Sequence, residues 1–173
     1  MKPDSTSLGG LILIDDHALQ RLATGAAASP RRREHLLLHG SHDEAVQRIV
    51  MTMNPGTYLR PHRHLARMET LIVLAGELDL LIFDDAGCLT RRLSMAAAGA
   101  VGGASSIVEM PARTWHSVVV SSGQPCTLFE IKPGPHRDAD TEMADWAPAE
   151  GEAGVSAMQR ALADAGPGDR PRA

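Results

Sequence analysis

Two cysteines in 173 residues, Cys88 and Cys126, are too few for a disulfide framework and have no CxxC spacing. With no charged-then-apolar leader ahead of them, they predict reduced thiols in a cytoplasmic protein. No apolar run approaches the roughly 18 residues of a membrane span, so no membrane partner is expected. Basic charge is not in excess either: Lys and Arg number 17 against 21 Asp and Glu, for a net charge of -4 and a pI near 6.0. That balance argues against a nucleic-acid surface, and the run Arg31-Arg32-Arg33 reads as a solvated segment. Ser/His/Asp sets, P-loops, Rossmann fingerprints and internal repeats are all missing.

What is present is 43% hydrophobic and 22% charged sequence, enough for one domain with a core and too short for a second of similar size. Residues 1–10 look frayed. The stretch IDDHALQRLATGAAAS has an acidic start and an alanine-rich end, and it predicts a short helix finishing near Ser29-Pro30. From Ala45 to Lys132 the period becomes two. AVQRIVMTM, ETLIVLA, ELDLLIF, CLTRRLSM, SSIVEM, WHSVVV and CTLFEIK are separated by turn signals, of which DDAG is the clearest hairpin. Strands of this spacing without helical crossovers predict an all-β, antiparallel barrel of two facing sheets. The expected organisation is an N-terminal arm over 1–44, a barrel over 45–132 and a C-terminal extension over 133–173. Within the extension, VSAMQRALADAG places Val155, Met158 and Leu162 on one helical face. Open barrels leave edge strands that need covering, and two long arms could provide cover in a homodimer.

The stretch GTYLRPHRHLARMETLIVLAG carries the chemistry. Side chains alternate along a strand, so His62 and His64 share a face, together with Tyr58 and Arg60 if the run stays extended through Pro61. Glu69 lies an odd number of residues further on and reaches that face only if a turn at LAR lets it head its own strand. Two imidazoles and a carboxylate suit one divalent ion such as Fe, Mn, Ni or Zn. His116, opening an apolar strand after Pro111, is the candidate fourth ligand. Such a set leaves net positive charge on the ion, which attracts an anionic or chelating ligand.

The spacing resembles the cupin superfamily, whose first motif is matched by Gly56, His62, His64, Glu69 and Gly76. Its second motif is matched in part: Pro111 and His116 fit, Arg113 replaces a glycine, and Val120 stands where asparagine is usual. VQR, PGTYLRPHRH, LIFDDAG, MPARTWHSVV, LFEIKPGP and DWAPAEGE look like the WbuC family of cupin-fold metalloproteins. His39 and the arginines before it match that family's basic lead-in. The resemblance implies a double-stranded β-helix (jelly-roll) barrel, a bound metal and a link to bacterial surface-polysaccharide metabolism.

Three activities fit these residues. The first is a metal-dependent enzyme, such as an isomerase or epimerase, acting on a small carbohydrate or sugar-nucleotide. The others are a non-haem iron dioxygenase and a non-catalytic binding or sensing module. Tyr58 and Glu130 are the candidate proton carriers. Arg60, Gln47 and Lys132 are candidate contacts to a small anionic or hydroxylated ligand; each also has a plainer reading, as a rim salt bridge, strand-edge residue or surface ion pair. His17, His35, His42 and His136 lack ligand spacing, and Trp115 and Trp146 read as packing residues.

Overall fold

The structure is a computed structural model that describes residues 11–100 and 102–173. The frayed reading of residues 1–10 therefore lies outside the described residues. The chain runs α1 (Asp16–Ala28), β1 (Arg33–Leu37), β2 (Val46–Met53), β3 (His62–His64), β4 (Glu69–Ala75) and β5 (Glu77–Phe83). It continues through β6 (Leu89–Ala96), β7 (Ile107–Met110), β8 (Trp115–Val119), β9 (Cys126–Pro133), β10 (Thr141–Met143) and α2 (Val155–Asp164). Two five-stranded sheets face each other, in the orders β1-β2-β9-β4-β7 and β10-β3-β8-β5-β6, and every pair of these strands is antiparallel.

Alternation builds the layers. Met51, Met53, Leu71, Val73, Leu78, Leu80, Val118 and Leu128 point inward and fill the space between the sheets. On the outer face of the first sheet, Leu36 and Val50 meet Leu22 of α1. On the outer face of the second, Leu81, Phe83 and Trp115 meet Met158 and Leu162 of α2. Both helices are amphipathic cushions outside the barrel, as their apolar stripes require. Asp15 starts α1 by accepting a hydrogen bond from the Ala18 amide at 2.9 Å. The DDAG hairpin turns β5 into β6, and the Asp84 side chain accepts from the amides of Ala86 and Cys88.

The sheets reach beyond residues 45–132. β1 pairs along β2 in register from Arg33↔Met53 to Leu37↔Ile49, and β10 pairs with β3. Both lie in segments read from sequence as arms, because REHLL begins with two charged residues and TEM is only three residues long. Gly76, the last residue of the first motif, has φ 76°, and a Cβ there would strike the Pro125 carbonyl oxygen. At the glycine position of the second motif, Arg113 adopts the same left-handed backbone, φ 68°, while its amide donates to the His64 carbonyl at 2.7 Å.

Candidate metal centre

The second sheet brings three histidines together. His62 and His64 sit on β3, and His62 pairs directly with His116 on β8. Their ring centroids are 4.3 to 5.9 Å apart, and they offer ligand nitrogens within 4.8 Å of one another. Glu69 reaches them from the first sheet. A bend over residues 65–68 separates β3 from β4 and resets the parity, as expected, so that Glu69 heads its own strand. Its Oε1 lies 3.1 Å from His64 Nε2 and its Oε2 lies 3.0 Å from His116 Nε2.

The outer nitrogens are held in place. His62 Nδ1 faces the Arg60 carbonyl at 3.0 Å and His116 Nδ1 faces the Thr114 carbonyl at 2.9 Å. A carbonyl only accepts, so each Nδ1 carries the proton and each Nε2 presents a lone pair inward. His64 Nδ1 meets the Thr141 hydroxyl at 3.2 Å. A neutral His116 would therefore oppose a lone pair to a carboxylate oxygen at 3.0 Å, a contact that requires a cation, either a proton or a metal ion. Three imidazoles, with the Glu69 carboxylate against two of them, make a group that could hold a borderline divalent ion such as Fe, Mn, Ni or Zn.

Burial sets the charges. It pushes His62 down to about 3, helped by neighbouring His116, so this imidazole is neutral and ready to ligate. Burial acts the same way on His116, but the hydrogen bond and charge of Glu69 outweigh it and raise its pKa. Glu69 itself, although buried, is held well below the carboxylate range by His116, His64 and Lys132. Glu130 is pushed up to about 7 by burial and by Glu69, against the opposing ammonium of Lys132. Lys132 Nζ lies 2.6 Å from Glu130 Oε1 and 3.6 Å from Glu69 Oε1. The two glutamates raise its pKa despite burial.

A cavity of about 130 Å³ opens over this cluster, lined by His62, Glu69, His116, Glu130 and Lys132 with apolar Met51 and Leu71. A second pocket of about 440 Å³, the vestibule, shares Arg31, Arg33, Leu59, His62 and Lys132 with it and includes Arg60, His64, Thr141 and Met143. Glu130 and Lys132 thus do face the cavity.

Two of the candidate residues, Tyr58 and Gln47, lie away from the cavity, while a third, Arg60, reaches the vestibule with its guanidinium tied to the backbone. Tyr58 is buried with Leu81, Phe83 and α2, and its hydroxyl donates to the Pro148 carbonyl at 2.8 Å. The reason is the chain before β3. Residues 57–61 are not a strand, and Leu59 and His62, an odd number apart, both line the cavity, so parity is lost across Pro61. Gln47 is 1% exposed and donates to the carbonyls of His42 and Glu44 at 3.2 and 3.0 Å, away from the cavity. Arg60 reaches the vestibule, but its guanidinium donates to the Ala144 carbonyl from Nε at 3.1 Å and Nη2 at 2.6 Å.

Other residues join the site unannounced. Arg31, Arg33 and His35 line the cavity. His35 is pushed down to about 4 by burial and by Arg33 and Arg31. Arg33 and His35 share a face of β1, whereas Arg31 is placed by the turn before the strand, so no sequence spacing joins the three.

Residues 14–95 match a family described as a domain of unknown function (DUF6016). No curated protein matches the chain. Among solved structures, protein SO0799 of Shewanella oneidensis superposes with a TM-score of 0.54 at 14% identity, over 64% of this chain and 72% of that one. TT1209 of Thermus thermophilus gives 0.50 at 20% identity, over 70% and 97%. A cupin-superfamily sugar phosphate isomerase of Silicibacter pomeroyi gives 0.46 at 19% identity, over 65% and 64%, so this chain spans under two thirds of that enzyme. It spans 51% of another protein assigned as such an isomerase, from Acidithiobacillus ferrooxidans. The fold is the cupin fold, a double-stranded β-helix jelly roll with a short helix at each end. Three of its histidines, His62, His64 and His116, lie close enough together to hold a metal ion. Among the described residues, no helix is long and apolar enough to cross a membrane.

Proposed function

We propose that this protein is a metal-dependent enzyme of the cupin fold, similar to the WbuC family, that acts on a small anionic carbohydrate derivative connected with bacterial surface polysaccharide. The observation that carries the reading is the convergence of His62, His64 and His116 with Glu69 beneath a cavity that also holds Glu130 and Lys132. A divalent ion held there would polarise a carbonyl or a pair of hydroxyls on the ligand. Glu130 is the residue placed to take or return a proton at an adjacent carbon or oxygen, since it lines the cavity without touching the histidines in any hydrogen bond. Lys132, beside both carboxylates, orients them and offsets their charge. Tyr58, tied to Pro148 and pushed up to about 12 by burial, plays no part in proton transfer.

Cavity size restricts the ligand. About 130 Å³ is well under the roughly 300–1,000 Å³ of pockets for drug-sized molecules, so only the reacting end of a sugar enters it, the remainder lying in the vestibule. A small sugar acid or sugar phosphate fits this better than a sugar-nucleotide.

The test is incubation of metal-loaded protein with sugar phosphates and sugar acids, followed by proton NMR and an oxygen electrode. The expected result is an altered ligand without oxygen uptake, lost in Glu130→Gln while metal is retained. Oxygen consumption coupled to ligand would replace this reading with the dioxygenase one. Saturable binding with no ligand altered would make the protein a binding or sensing module.

A further inference from the structure

The cavity mouth carries a pair of guanidinium groups whose arrangement goes beyond a solvated basic run. A turn at Pro30–Arg32, with Arg32 at φ 56°, sends Arg32 outward, where its Nε donates to the Pro55 carbonyl at 2.7 Å. Arg31 and Arg33 are left on the other side, and both line the same cavity as His62, Glu69 and His116, as well as the vestibule outside it. Arg33 is 4% exposed, and its Nη1 donates to the Tyr58 carbonyl at 2.9 Å. Burying a guanidinium at a cavity wall is costly unless a charge partner is supplied.

The partner is Glu150. Arg31 grips its carboxylate through Nε at 2.6 Å and Nη2 at 3.1 Å, and Arg33 Nη2 takes the inner oxygen. This carboxylate belongs to an irregular stretch after β10, with Gly151 and Gly154 both at positive φ, and is about one-third exposed. A segment without regular structure thus delivers a small anion to two forks of donors beside the candidate metal cluster. Arg60, also in the vestibule, has no carboxylate partner among the described residues. Lys132, by contrast, is already matched by Glu69 and Glu130.

We propose that Arg31 and Arg33 form an anion subsite at the cavity mouth for the carboxylate or phosphate of the ligand, and that Glu150 is its displaceable internal occupant. This rests on the proposed function insofar as the cavity receives a small anion, and it assigns the group that holds the anionic end. Planar guanidinium forks suit both carboxylate and phosphate oxygens, and Glu150 shows the geometry with a carboxylate. An incoming anion exchanges with Glu150, so affinity is reduced by the competition.

The experiment titrates inorganic phosphate and, separately, malonate into metal-loaded and chelator-treated protein by calorimetry. Glu150→Gln removes the competing charge while keeping a side chain of the same size. It should bind the better of the two probes about tenfold more tightly than wild type, the scale of one charge-assisted contact. Arg31→Gln in the Glu150→Gln background should cancel that gain, and Arg31→Gln alone should bind more weakly than wild type. Metal content should be the same in all three. Equal or weaker anion affinity in Glu150→Gln would overturn the subsite and leave Glu150 as a tether. If that variant does not fold, Arg31→Gln decides alone, and an unchanged affinity overturns the proposal. Because the guanidinium pair needs no metal, a gain that persists in chelator-treated protein supports the subsite even if the metal-dependent reading fails. The reverse result, metal bound but no Glu150 effect, removes only the subsite. Preference between phosphate and malonate identifies the anion.

Discussion

His116 Nε2 and Glu69 Oε2 face each other at 3.0 Å while His116 Nδ1 is committed to the Thr114 carbonyl at 2.9 Å. With both ring nitrogens against acceptors, the imidazole is stable there only as a cation or with a cation between it and the carboxylate. A divalent ion held by His62, His64 and His116 would also meet the carboxylate of Glu69 beside two of them, whereas one proton satisfies a single contact. From this relationship follows the expectation of a metal site, and several neighbouring features can be tested independently.

Arg113 occupies a left-handed conformation that a side chain adopts at a cost of about 1 kcal/mol or more. Arg113→Gly relieves that strain, offset in part by greater freedom of the unfolded chain. We expect stability to rise by roughly 0.5 to 1 kcal/mol with metal content unchanged, as read by chemical denaturation. A loss of stability would show that the arginine side chain has contacts worth more than the backbone strain.

Gln47 serves the loop after β1. Gln47→Ala strips donors from the carbonyls of His42 and Glu44 within a buried setting, so denaturation should show a loss of about 1–3 kcal/mol. Ligand affinity of the folded protein should be unaltered. An affinity change without a stability change would restore Gln47 to the ligand site.

Burial pushes the Cys126 thiol up to about 12. Its folded pKa is raised, so the neutral form is the one favoured; the associated stability is complete below the ordinary value of 9.0 and is lost progressively as pH rises from there to about 12. At pH 8 a thiol reagent should modify Cys88, which is only partly buried, and reach Cys126 only after denaturant is added. Two thiols titrating in the native protein would contradict the buried placement.

We propose a homodimer. Ile107 on edge strand β7 is 58% exposed, and Val46 and Met143 are also exposed apolar residues on strands. Such edges are normally covered. Light scattering should give twice the 18.4 kDa chain mass at micromolar concentration, and Ile107→Lys should return it to monomer if β7 is the contact.

The barrel was legible because its signals are local. Period-two runs between turn residues predict β2 and β4 to β9, and the HxH spacing with Glu69 heading its own strand predicts His62, His64 and Glu69 as one ligand set. The remainder depended on geometry that alternation does not encode. Pro61 breaks the parity on which Tyr58 depends. Gln47 shares a face with Met51 but turns at the strand's start toward the neighbouring loop. β1 was hidden by its charge: Arg33 and His35 face the cavity that holds Glu69 and Glu130, so the residues lining the site removed the apolar pattern that would have announced the strand. Glu150 lies more than a hundred residues from Arg31 in sequence, and no spacing rule links them.

We propose that His62, His64, His116 and Glu69 hold one metal ion per chain. Elemental analysis of protein purified without added metal, alongside His64→Ala prepared in parallel, tests it most directly. Removing one imidazole deletes a ligand while the apolar barrel core remains to support the fold, so circular dichroism should be retained. The wild type should carry close to one equivalent of Fe, Mn, Ni or Zn, and His64→Ala should lose most of it. Equal occupancy in the two proteins, or none in the wild type even after incubation with each ion, would contradict it.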